Sequence, residues 1–228
     1  MSDFKCLAIE TATNKSSVAA CNGDRIEILH LKDSRSASRE LYQSVTVVLD
    51  RAELEMADLD CVAFGCGPGS FTGVRVAAGA AQAIAFAQQI PVCRVSSLAA
   101  MVAAVHKHHE GTPVAACLDA RMNEAYLGIY DLDTDGQPQM IMADQLVQPA
   151  DFHFDATAGK LLLAGTGWHA YPELVENNRG FAAAYEFDVW PDAMAVITIA
   201  RMQFAAGRFV QPFEALPNYV RDQVTHQA

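Results

Sequence analysis

Two stretches of this chain set the same residue types in the same order, and that repeat constrains the fold more than any other feature. Cys6-Leu-Ala-Ile-Glu10 is a short apolar run that ends in a carboxylate. A turn-like segment from Thr11 to Lys15 and a second strand from Ser16 to Cys21 follow it. Val114-Ala-Ala-Cys-Leu118 is another apolar run; it ends in Asp119 and leads through a short polar turn into a strand from Ala125 to Tyr130. Apolar runs broken by turn residues read as strands joined by hairpins. Helical periodicity comes after each unit. A strand–carboxylate–hairpin unit used twice predicts a duplicated α/β fold of two similar subdomains, residues 1–108 and 109–228. The boundary falls near His106-Lys-His-His-Glu-Gly-Thr-Pro113.

The remaining elements fit this frame. Arg25 to His30 reads as a third strand after the Asn22-Gly23-Asp24 turn. Leu41, Val45, Val48, Leu49 and Ala52 share one face of a helix. Cys61 to Phe64 is a buried strand, and a long helix runs from about Ser70 to Gln88. Pro91 to Val95 gives a short strand, and Ser96 or Ser97 can cap a helix that ends near His109. A weaker strand is predicted over Gln139 to Ala143, and another at Leu161 to Ala164. A short helix to about Asn177 follows Gly165-Thr-Gly-Trp168, and the last helix spans Ala193 to Ala206.

Composition excludes several classes. With 51% hydrophobic and 19% charged residues over 228 positions, the chain is not a disordered or low-complexity protein. Its net charge of -11 argues against a general phosphate-backbone binder, which needs clustered Lys and Arg. The N-terminal residues do not fit a secretory signal, and the longest uncharged apolar stretch, Val76 to Ala87, is too short to span a bilayer. The six cysteines form no C-x-x-C pair and sit in apolar runs, so free buried thiols are expected. A cytoplasmic globular protein is the expectation.

The segment Gly65-Cys-Gly-Pro-Gly-Ser-Phe-Thr-Gly-Val-Arg75 leads from a strand through glycines to a helix start, where free N–H groups attract anions. It matches no phosphate-loop or nucleophile-elbow pattern, and a tight turn beneath a buried helix is the commoner use of such a segment. Glu10 and Asp119 could hold the Mg²⁺ of a nucleotide between the subdomains, with Gly67 and Gly69 beside them. Strand-end carboxylates more often accept hairpin N–H bonds, and no cofactor is expected. His106, His108 and His109 lack an accompanying ligand cluster and suit a helix C-terminus, so no metal site is expected. The long helix carries no charge between Arg75 and Arg94 and many small residues, which suits close helix–helix approach. Arg75, Gly79, Gln82 and Phe86 share one face of it and, with Tyr42 and Val45 on the preceding helix, form the expected partner surface. Val76, Ala80, Ala83 and Ala87 are expected on its internal face.

On several of these residues the chain resembles the TsaB (YeaZ) family. The carriers are Leu7-Ala-Ile-Glu-Thr-Ala-Thr13, Gly67-Pro-Gly-Ser-Phe-Thr-Gly-Val-Arg75, Ser96-Ser-Leu-Ala99 and Asp119-Ala-Arg-Met-Asn-Glu-Ala-Tyr126. Weaker anchors lie at Gly165-Thr-Gly-Trp168 and Leu216-Pro-Asn-Tyr-Val-Arg221. The resemblance implies an actin-like ATPase domain (RNase H-like) fold with two duplicated subdomains. It also implies a non-catalytic role, as the partner of TsaD acting with the ATPase TsaE in making threonylcarbamoyladenosine beside the anticodon of tRNA. TsaD transfers the threonylcarbamoyl group and carries a His-x-x-x-His metal motif, which this sequence lacks. A heterodimer with TsaD, a homodimer when alone, tRNA contact only through the complex and no membrane association are the implied partnerships. The alternative is an enzyme, either an actin-like phosphotransferase or a glycoprotease-type peptidase. Glu10 stands where many relatives have Asp, Ala37 falls where the family's histidine is expected, and the tail after Arg221 is short.

Overall fold

The first repeat unit forms β1 (Lys5–Glu10), which pairs antiparallel with β2 (Ser17–Asn22); β2 in turn pairs with β3 (Arg25–His30). These belong to a computed structural model that describes residues 3–31, 37–105, 111–133 and 136–220. His106, His108, His109, most of the expected boundary segment, the Ala37 side chain and the tail from Arg221 lie outside the described residues. After α1 (Ala37–Arg51), β4 (Cys61–Gly65) adds parallel to the other edge of β1, and α2 (Phe71–Gln88) leads to β5 (Val92–Val95), parallel to β4. The strand order is β3-β2-β1-β4-β5. Next comes α3 (Ser97–Val105).

The second unit repeats this order strand for strand. β6 (Val114–Arg121) pairs antiparallel with β7 (Glu124–Leu132), and β7 with β8 (Pro138–Val147). β9 (Leu161–Ala164) lies parallel to β6, and β10 (Ala182–Glu186) parallel to β9. The helices between β9 and β10 are α4 (Thr166–Ala170) and α5 (Pro172–Asn178), and α6 (Ala193–Ala205) closes the series. The sheet reads β10-β9-β6-β7-β8, the counterpart of the first. Two corrections to the sequence reading follow. The strand expected at Gln139 to Ala143 is twice as long, because β7 offers it a long antiparallel edge. β10 was not expected at all; its Ala-rich sequence carries weak strand propensity, and pairing with β9 supplies what the propensity does not.

The packing crosses between the halves. On one face of the first sheet, Leu7, Ile9, Val62 and Phe64 meet α1 and α2 through Leu41, Val48, Ala77 and Ala81. On the other face α6, from the second half, is the cover, while α3 from the first half packs on β6 and β7 of the second sheet. Both helices share one core with both sheets. The α6 face of the first sheet is made of small side chains: Cys6, Ala8, Ala19, Cys21, Cys61, Ala63 and Cys93. All six cysteines of the chain are free and buried, and the four on this face serve as compact apolar residues that let α6 lie close to the strands. Burial pushes the Cys6 and Cys117 thiols up, away from the reactive thiolate. An extra branched side chain in this layer has no space. Ala63→Leu is therefore expected to cost about 1–3 kcal/mol by overpacking, read as a lowered thermal midpoint.

Candidate functional site

Glu10 is wholly buried at the end of β1. Its Oε1 accepts the Ala12 N–H at 2.7 Å, and its Oε2 accepts the Ser97 hydroxyl at 2.9 Å from the start of α3. Gly65, the last residue of β4, lies so close that a Cβ there would occupy the space of the carboxyl group. Burial raises the Glu10 carboxyl to about 7, with the Ala12 and Ser97 hydrogen bonds opposing the rise and the nearby Asp192 carboxylate adding to it. Of the two uses open to a strand-end carboxylate, Glu10 has the commoner one, as acceptor of the hairpin N–H of Ala12. Both of its oxygens accept hydrogen bonds inside the fold, and Glu10 is not among the residues that wall the cleft between the subdomains.

The glycine segment is built against the same turn. Gly67 has φ +92°, a conformation that a side chain disfavours, and its carbonyl accepts the Ser97 N–H at 2.9 Å. A Cβ on Gly69 would overlap the carbonyl oxygen of Ala12, and one on Gly73 would overlap that of Thr11. The Ser70 N–H donates to Ala12 O at 2.7 Å, the Gly73 N–H to Ser70 Oγ at 3.3 Å, and Thr11 Oγ1 to Gly73 O at 2.7 Å. Gly69 and Gly73 thus bring backbone onto backbone, while Gly67 supplies the positive φ of the turn. Two donors that a phosphate would need at the start of α2, on Ser70 and Gly73, are held by the chain itself.

Asp119 occupies the equivalent place in the second unit. Its Oδ1 accepts the Arg121 N–H at 2.7 Å and the Tyr171 hydroxyl at 2.8 Å, and Oδ2 pairs with Arg121 Nη1 at 3.0 Å. Burial and the neighbouring Asp119 push the Tyr171 hydroxyl up to about 12. Unlike Glu10, Asp119 does reach a cleft, a space of about 990 Å³ walled by Thr11–Asn14, the glycine segment, Leu118–Arg121, His169 and Trp190. The tip of the second hairpin, Met122–Asn123, has both residues at positive φ, as a two-residue turn requires. Among the described residues no group of three or more His, Cys, Asp or Glu could hold a metal ion.

The expected partner surface divides. Tyr42 on α1 is 57% exposed and Phe86 on α2 is 77% exposed. Arg75 and Gly79 are also exposed, and a Cβ at Gly79 would meet nothing within 4 Å. Gln82 is half-buried and donates to Ala215 O at 3.2 Å. Val45 is a correction: it is 1% exposed, because it lies on the apolar face of α1 that packs on the sheet. Ala83 and Ala87, expected inside, are exposed as well, so that Thr72, Arg75, Gly79, Ala83 and Phe86 make one outer stripe. A helix of small apolar residues gives little periodic signal by which to tell its two faces apart.

Several residues of this region were not expected. The Arg75 guanidinium stacks on the Phe71 ring at 3.3 Å and faces Tyr219 at 4.8 Å, where the C-terminal segment returns along α2. Ser96 caps α3 through the Leu98 and Ala99 N–H groups and donates to Asp144 on β8 at 2.6 Å. Tyr130 on β7 also donates to Asp144. Adjacent serines therefore tie one helix start to both sheets, Ser97 to Glu10 and Ser96 to Asp144. A pair of serines before an apolar helix signals a cap; nothing in it signals these two carboxylates.

A family model described as TsaD, tRNA N6-adenosine threonylcarbamoyltransferase, matches residues 31–204. The tRNA threonylcarbamoyladenosine biosynthesis protein TsaB of Haemophilus influenzae is 32% identical over 99% of this chain and 97% of its own length. TsaB of Escherichia coli is 32% identical over 97% of this chain and 96% of its own. A solved structure of YeaZ from Pseudomonas aeruginosa has a TM-score of 0.86 at 33% identity and covers 95% of this chain and 99% of that one. Another Pseudomonas aeruginosa structure, called an uncharacterized protein with similarity to peptidase YeaZ, has a TM-score of 0.87 at 34% identity, covering 96% and 100%.

Two outcomes are expected of this site. Gly69→Val forces the glycine segment off Ala12 and should lower stability by about 1–3 kcal/mol in denaturant titration. For Glu10, the folded state holds the proton more tightly than the unfolded chain, whose ordinary value is 4.5. Stability is greatest below that value and declines as the pH rises towards about 7. Glu10→Gln should remove this decline, so its advantage over the unsubstituted protein grows to the order of 1–3 kcal/mol between pH 5 and pH 8.

Proposed function

The chain belongs to the TsaB family, which the TsaD family model also covers, and from that membership we propose that it is a non-catalytic partner of TsaD. In this reading it serves tRNA threonylcarbamoyladenosine biosynthesis: it activates TsaD for threonylcarbamoyl transfer, acts with TsaE, and meets tRNA only within the complex. Alone, it pairs with itself through the same surface. The names of the Haemophilus influenzae and Escherichia coli relatives support the pathway, and the internally bonded Ser70 and Gly73 N–H groups support the role.

One observation carries the reading. The strand end, hairpin and glycine segment bind one another through the N–H groups of Ala12, Ser70 and Gly73 and the Thr11 hydroxyl, and what these bonds support is the first turn of α2. That helix then presents a stripe with one charge, two exposed small residues and a large exposed ring. Small residues let a second helix come close, and Phe86 on the stripe and Tyr42 on α1 supply exposed apolar area. No helix among the described residues is long and apolar enough to cross a membrane.

The test is direct. The open space beside Gly79 means that Gly79→Arg should fold with an unchanged melting temperature. A bulky charge in the middle of a close helix contact is left desolvated, at a cost of several kcal/mol. The variant is therefore expected to lose association with TsaD and with a second copy together, read by co-purification and sedimentation. Undiminished TsaD binding by folded Gly79→Arg would remove the surface from this helix. Turnover of ATP or peptide by the isolated chain that disappears with Asp119→Asn would favour an enzyme.

A further inference from the structure

The route by which a buried carboxyl group reaches the outer face of α2 is short. Glu10 Oε1 holds the Ala12 N–H, Ala12 O holds the Ser70 N–H, and Thr11 Oγ1 holds Gly73 O. The three glycines at 65, 69 and 73 leave no side chain between carboxyl, turn and helix to absorb a movement. We propose that Glu10 is a positioning residue for α2: through the Thr11–Ala12 turn it fixes the seat of that helix, and gaining or losing its proton changes how firmly the helix is held. The functional consequence rests on the reading of α2 as the partner surface; the positioning itself does not.

The surroundings set the direction. The titratable groups acting on Glu10 from neighbouring elements are Asp192 at the start of α6 and, by the mutual effect on its thiol, Cys66 after β4. Ser97 on α3 and the Thr11–Ala12 turn face it with hydroxyl and N–H dipoles; Arg94 and Asp144 act on Cys66 from behind. When protonated, Glu10 keeps the Ala12 bond on Oε1 and donates from Oε2 to Ser97 Oγ, whose own hydrogen turns aside. When ionised, it accepts both bonds but places a full charge without water near the Asp192 carboxylate. Opening of the Thr11–Ala12 turn then relieves that charge by admitting water. The first turn of α2 is held more tightly below neutral pH than above it.

Hydrogen exchange of the free protein tests this. Amides 71–76 are followed at pH 6.0 and 8.5, corrected for intrinsic exchange, with those of α5 as the internal reference. At least about a threefold loss of relative protection is expected at the higher pH in the unsubstituted protein, and none in Glu10→Gln. Glu10→Asp retains a titrating carboxyl and should retain a pH dependence. Should no Glu10 variant fold, the unsubstituted protein still decides: the amide shifts of Ala12, Ser70 and Gly73 must share one midpoint with the Glu10 carboxyl carbon. Separate midpoints, a flat profile in the unsubstituted protein, or the same profile in Glu10→Gln overturns the proposal. TsaD affinity measured across the same pH range is expected to follow the exchange profile. If exchange follows Glu10 while TsaD affinity does not, the positioning role stands and the partner surface lies elsewhere.

Discussion

A carboxyl group without water must be given donors by the chain, and around Glu10 that requirement gathers four elements. At the end of β1, the hairpin at Ala12 and the start of α3 at Ser97 must come within hydrogen-bonding distance, and the close of β4 at Gly65 must leave the carboxyl group its space. Breaking such a set leaves a buried polar group unsatisfied, which costs more than the bond contributes when made. The glycine segment and α2 stand on this junction. Ser96, one residue away, extends it to Asp144 and Tyr130 in the second sheet. One helix start thus ties both sheets by hydrogen bonds, alongside the core that α3 and α6 share with them.

The duplicated units use the same device to different ends. In each, a strand-end carboxylate accepts the N–H two residues on, Ala12 in one and Arg121 in the other. In each, a glycine stands at or just after the end of the neighbouring parallel strand: Gly65 closes β4 and lies against Glu10, and Gly165 follows β9 and lies against the carbonyl of Cys117. The longer arm of Glu10 turns inward beneath Gly65. Asp119 stays beside the cleft, where Arg121 and Tyr171 bind it. A shared backbone plan thus gives one buried and one cleft-side carboxylate, and side-chain length together with the cover above it decides which is which.

The duplicated plan was legible because strand, carboxylate and hairpin recur with the same patterning, and the face of α1 was legible because Leu41, Val48 and Leu49 keep helical period. Other features lacked a local signal. β10 depends on a neighbour for its conformation. Small residues along α2 do not say which face is outside, so Ala83 and Ala87 were expected inside and lie outside. Val45 belonged to the apolar face, which is the core face. A carboxylate after an apolar strand suits a cleft and an interior equally; the feature that separates them for Glu10 is the glycine at position 65, whose partner is distant in sequence.

The exchange of α3 and α6 between the halves has a consequence for how the chain is made. Synthesis delivers the strands of the first sheet early, yet their Cys- and Ala-lined face is covered by a helix that ends at Ala205. Until that segment leaves the ribosome, the nascent sheet exposes an apolar surface with nothing of its own to close it. The first half therefore carries an uncovered apolar face for most of translation, the kind of surface that invites aggregation. Separated halves expressed as two polypeptides have to find each other before either has a complete core, and complementation between them would proceed as a bimolecular folding reaction.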